Sequence, residues 1–114
     1  MQKISIEAFA REHLKTAAAS TSGRAAGTVF GGHERVLRQT VIALLTGVSL
    51  SEHENPGEAT IYVLSGRVRL KSGDDVWEGR TGDFLIVPDA RHSLEAVEDS
   101  TVLMTVAKTS QIGS

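Results

Sequence analysis

Two periodicities divide the chain. Ile6, Phe9, Ala10, Leu14, Ala17 and Ala18 recur at helical spacing and draw one apolar stripe, which predicts a helix over 6–19. Ser5 offers a side-chain oxygen to cap its first turn, and Glu7 places negative charge where the helix dipole favours it. The polar face mixes both charge signs, so the helix reads as cover for a sheet rather than a basic membrane-surface helix. The run Ser20, Thr21, Ser22, Gly23 ends it and begins a connector.

From Thr28 the pattern changes to short β-rich runs at 28–30, 36–45, 48–53, 60–64, 67–71, 76–78, 83–87, 92–97 and 101–107. Gly31, Gly32, Gly47, Gly57, Gly66, Gly73, Gly79 and Gly82 punctuate them. No helical stretch separates the strands, so a sandwich or barrel is expected and a parallel α/β sheet is not. The economical division is a helix and connector at 1–27 followed by one β-barrel domain at 28–114.

With 114 residues there is room for one hydrophobic core and not for two. Fourteen acidic against twelve basic side chains leave a net charge of -2, which argues against a broad grip on nucleic acid. The longest aliphatic run, Val41 to Leu45, is far shorter than the roughly 20 residues of a bilayer span. Charged residues interrupt the N-terminus, so no signal-peptide core is seen there. The expectation is a soluble, cytoplasmic protein with no nucleic-acid or membrane partner. Without cysteine, metal ligation would fall to His, carboxylate and amide side chains.

Strand alternation nominates the chemistry. Strict alternation puts Ser49, Ser51, His53 and Asn55 on one small, polar face, suited either to solvent or to a wet pocket. His92 shares its face with Leu94 and Ala96, which makes it the better candidate for an inward histidine. Gln39, in phase with Val41 and Ala43, is placed either to hydrogen-bond a ligand or to satisfy a backbone group. His13 and His33 read as helix-packing and loop residues. Glu54 and Glu58 read as loop carboxylates, since nothing nearby forces their pKa upward. Motifs for nucleotide phosphates, serine nucleophiles and the HExxH zinc pair are absent, and no catalytic residue is assigned.

Two stretches resemble the cupin family. In the first, Gly47 is followed by five residues, then His53-Glu54-Asn55, three residues to Ala59, and six to Gly66. In the second, Gly82 is followed by five residues, then Pro88-Asp89-Ala90-Arg91-His92, one residue shorter than the family pattern. The resemblance covers roughly 36–107. It implies an all-β double-stranded β-helix, or jelly-roll barrel, behind the N-terminal helix, with any site inside the barrel.

The resemblance also implies a ligand set, from which this chain departs. Three histidines and a glutamate commonly hold a divalent metal in the family. Here His53 and His92 match the first and last histidines, Asn55 replaces the second, and Ala59 replaces the glutamate. Alanine cannot ligate, and a carboxamide is a poor partner for a transition metal beside imidazole. Glu58 could substitute only if the Asn55-Pro56-Gly57 turn bulged, because a one-residue offset reverses the face.

The reading that follows is a small-molecule-binding or sensing barrel lined by Gln39, Ser51, His53, Asn55 and His92, holding no cofactor or only a weakly bound divalent metal. The alternative is a metal-dependent dioxygenase or isomerase using His53, His92 and Glu58. What separates the two is the direction in which Glu58 points. The family resemblance and open strand edges also suggest a homodimer.

Overall fold

The computed structural model describes residues 2–53 and 57–108. Helix α1 runs Ile6–Ala19, the predicted bounds, with the Ser5 side chain accepting a hydrogen bond from the Ala8 N–H at 3.2 Å. It ends where Ser20 leaves helical geometry, its N–H bonded to the carbonyl of Ala17. No helix among the described residues is long and apolar enough to cross a membrane.

Nine strands follow among the described residues: β1 Arg24–Gly31, β2 Leu37–Leu44, β3 Ser49–His53, β4 Gly57–Ser65, β5 Arg67–Ser72, β6 Asp75–Arg80, β7 Phe84–Ile86, β8 His92–Ala96 and β9 Ser100–Lys108. Each corresponds to one predicted run. They form two antiparallel sheets, one ordered β1-β2-β9-β4-β7 and the other β3-β8-β5-β6. Non-consecutive neighbours such as β2-β9 and β3-β8 show the chain crossing repeatedly between sheets, as a jelly roll requires.

The core lies between the sheets. Ile42 and Leu44 of β2, Ala59, Ile61 and Val63 of β4, and Val102 and Val106 of β9 face Val68 and Leu70 of β5 and Leu94 and Ala96 of β8. Burial of these side chains, at about 25 cal/mol per Å² of apolar surface, is the main force closing the barrel. The outer face of the second sheet is held differently. Arg69 bonds Glu78 at 3.2 Å and Glu95 at 3.3 Å, and Arg67 bonds Glu78 at 3.1 Å.

The first strand starts at Arg24, earlier than the predicted position 28, so the expected connector is shorter. The reason is the helix. It packs on the outer face of β1 and β2, where Val41 and Ala43 are fully buried beneath it with Ala10 and Ala17. The His13 ring stacks on Phe9 and occupies the space where a side chain at Gly27 would stand. Small residues at 25–27 read as a linker in sequence, yet here they make room for the helix.

Candidate functional site

Strand β8 carries its even residues inward. His92, Leu94 and Ala96 are buried, and His92 is only 3% exposed. It is the one ionisable side chain that is buried among the residues whose side chains are described. The His92 Nδ1 lies 3.0 Å from the carbonyl oxygen of Ala90. A carbonyl can only accept, so Nδ1 carries the proton, and in the neutral ring Nε2 carries the lone pair. The Pro88-Asp89-Ala90 turn therefore sets both the orientation and the tautomer of the histidine.

The backbone of β3 pairs with β8, and position 53 stands opposite His92. The register is not the simple alternation expected. Leu50 pairs with Leu94, and a shift between Leu50 and His53 inserts one extra residue into β3. That irregularity offsets the backbone pairing at position 53 by one residue from the simple register. Nothing at Ser51 or Glu52 advertises the bulge, since neither is the glycine that often marks one.

The remaining candidates disperse. Ser51 is exposed, whereas its neighbour Leu50 packs against the core. Gln39 lies in phase with Val41 on the helix side of its sheet, where its amide donates to the Thr105 hydroxyl at 3.3 Å. It satisfies a neighbour there and does not meet His92. Asn55 lies outside the described residues, as does Glu54. Glu58 is exposed on the outer face of β4, while Ala59 beside it faces inward in the core cluster. The alternative that uses Glu58 for metal ligation calls for a bulge here, and β4 is regular, with Gly57, Glu58 and Ala59 paired in sequence to Lys108, Ala107 and Val106. No bulge turns the carboxylate inward.

The donor set can be weighed against the divalent metal that the family pattern implies. Ala59 holds the inward position where that pattern has a glutamate, and it has no donor atom. Glu58 faces away, and no group of three His, Asp or Glu residues able to hold an ion occurs among the described residues. What they build is a packed apolar interior, with Leu50, Ala59, Val87, Leu94, Met104 and Val106 in one core cluster and the buried imidazole of His92 on the same strand as Leu94.

A barrel of two antiparallel sheets with one inward histidine on β8 defines the class of protein, and comparison with known proteins names the family. Residues 40–108 match the model of the cupin domain, and the chain belongs to the cupin family. Among solved structures, it is similar to a conserved protein of unknown function from Streptococcus pyogenes, with 25% identity and a TM-score of 0.72, over 80% of this chain and 79% of that one. An RmlC-like cupin protein from Desulfovibrio desulfuricans shares 27% identity at a TM-score of 0.65, over 74% and 81%. The protein KdgF from a Halomonas species shares the fold at 20% identity and a TM-score of 0.64, over 76% and 82%. No curated protein matches the chain.

Proposed function

We propose that this cupin is a small-molecule-binding or sensing barrel that does not depend on a tightly held metal. The observation that carries the reading is His92, buried in an apolar wall and locked through Nδ1 to Ala90. An imidazole held in one orientation in the apolar interior of the barrel is a directional hydrogen-bonding group. The chemistry that suits it is a small, mostly apolar molecule with one polar group. The inward Ala59 supports the reading, because it supplies no donor atom where a ligating carboxylate would stand.

One observation favours a second reading. The backbone pairing of His53 with His92 is the register that a two-histidine metal centre would use, so a metal-dependent dioxygenase or isomerase is the competing assignment. A single preparation tests both. Protein purified without an affinity tag or chelator is analysed for metal, then screened for small molecules that raise its melting temperature. The expected result is substoichiometric metal, and a ligand-induced stabilisation that His92→Leu abolishes. One divalent ion per chain, lost on His92→Ala, would reverse the order of the two readings.

A further inference from the structure

Ala59, Ile61 and Val63 of β4 face the core, and simple alternation would send Ser65 inward after them. The pairing of β4 with β9 shifts between Val63 and Ser65, so Leu64 is an extra residue on β4. Val63 stands opposite Val102, which faces the core, and Ser65 stands opposite Thr101. Thr101 pairs on its other side with Ala43, which is buried beneath the helix. The bulge therefore carries Ser65 to the helix side of the sheet. Bulges re-aim side chains in this way beside active sites.

On that side Ser65 meets Thr101. The two hydroxyl oxygens lie 2.7 Å apart, and Thr101 is only 2% exposed. Each hydroxyl carries one proton, so a pair that shares one proton keeps a second to donate. Among the described residues neither hydroxyl has another partner. Both line an open hollow of about 400 Å³ between α1 and the end of β4, walled by Ile6, Ala10, Leu14 and Leu64. That size falls within the roughly 300–1,000 Å³ of small-molecule sites, which likewise set a few convergent polar groups in apolar walls.

Charge completes the lining. Arg11 stands 3.8 Å from Glu7, beyond hydrogen-bond distance, and both side chains are mainly exposed. Such a pair contributes little, so the guanidinium can turn to an anion while Glu7 turns to solvent.

We propose that this hollow binds an aliphatic carboxylate. Its carboxylate accepts hydrogen bonds from the Ser65–Thr101 hydroxyl pair and from Arg11, and its hydrocarbon body lies along Ile6, Leu14 and Leu64. An acceptor is required because the hydroxyl pair offers a spare proton, and a negative one is favoured by the guanidinium. The hollow lies outside the barrel wall. The proposal therefore goes beyond the barrel-binding reading and does not rest on it.

Calorimetric titration of the full chain with octanoate tests the proposal, with octanol as the neutral comparator. Octanoate should bind at one site per chain, and octanol about tenfold more weakly. Arg11→Gln and Ser65→Ala should each weaken octanoate about tenfold, the loss of one hydrogen bond to a charged group. Neither side chain is buried, so the melting temperature of the ligand-free protein should hardly change. Amide resonances displaced by octanoate should cluster at residues 6–14, 64, 65 and 101. His92→Leu should leave octanoate binding unchanged. No binding at millimolar octanoate overturns the proposal. So does binding that is indifferent to both Arg11→Gln and Ser65→Ala, or that is lost with His92→Leu, which would place the ligand inside the barrel. Octanol bound as tightly as octanoate overturns the choice of an anion.

Discussion

The carboxylate of Asp99 accepts two hydrogen bonds from Thr46, one from its backbone N–H at 2.8 Å and one from its hydroxyl at 2.9 Å. The two residues lie 53 positions apart. Thr46 is in the turn between β2 and β3, and Asp99 in the turn between β8 and β9. Each turn carries the chain from one sheet to the other, so the pair clamps two crossovers at one end of the barrel.

This clamp makes stability depend on acid. The Thr46 N–H, and then its hydroxyl, hold the Asp99 carboxyl below its ordinary range. Hydrogen bonds from Arg69 and then Arg67 do the same for Glu78. A depressed folded pKa means the contribution is complete above the unfolded carboxylate range and is lost as pH falls through the folded value. Urea midpoints should therefore be level near neutrality and fall below about pH 4. Asp99→Ala should cost about 1 kcal/mol at pH 7, the net worth of an exposed charge-assisted pair of bonds, and should flatten the acid limb. An acid limb as steep as the native one would remove Asp99 from this account.

The helix is seated by the absence of a side chain. A Cβ at Gly27 would collide with the His13 Nε2 and lie 2.9 Å from a ring carbon of Phe9. The His13 ring cannot easily swing aside, because its Nδ1 bonds the Phe9 carbonyl at 2.8 Å and its plane stacks on Phe9. Gly27→Ala should cost about 1 to 3 kcal/mol by overpacking. In a His13→Ala background the same change should cost much less, and a double-mutant cycle measures that coupling. Equal costs in both backgrounds would show that the helix is not held this way.

Gly66 and Gly73 both adopt positive φ, 88° and 59°, but in different surroundings. A Cβ at Gly66 would meet the carbonyl oxygen of Asp99 and lie 2.8 Å from the Cα of Ser100, whereas one at Gly73 meets nothing within 4 Å. Gly73→Ala should show only left-handed strain, about 1 kcal/mol. Gly66→Ala adds a backbone collision and should cost upward of about 3 kcal/mol. Chemical denaturation of the two variants side by side checks the difference.

Ala59→Glu puts a carboxylate into the inward-facing wall of β4. Without metal it should lower the melting temperature, since a buried unpaired charge is destabilising. Combined with Asn55→His, it should make stability zinc-dependent, with protection growing as the logarithm of zinc concentration. The native chain should show little such protection. Thermal melts with and without zinc, and calorimetric titration of both proteins, decide the matter. A native chain protected as strongly as the variant would favour the metal-dependent reading.

Much of the architecture is written in local pattern. The 3.6-residue stripe from Ile6 to Ala18 marks the helix, and Ser5 caps it as its type suggests. Glycine-punctuated runs locate all nine described strands, because turns with positive φ, as at Gly47, Gly66 and Gly82, favour a residue without Cβ. The inward direction of His92 is legible too, from its phase with Leu94 and Ala96, since no irregularity intervenes on β8.

Alternation states which residues share a face, but not which face is the interior. Gln39, Val41 and Ala43 share an apolar face that lies beneath the helix, not inside the barrel. Residues 25–27 are too small to announce a strand, and they form one because β2 offers its edge and α1 needs the space. The register at His53 depends on an extra residue in β3, set by pairing with a strand about forty positions away. Local propensity determined the elements of this cupin. Long-range pairing and packing alone decided which side of each element became the core, and therefore that Gln39 lies on the helix side and not with His92.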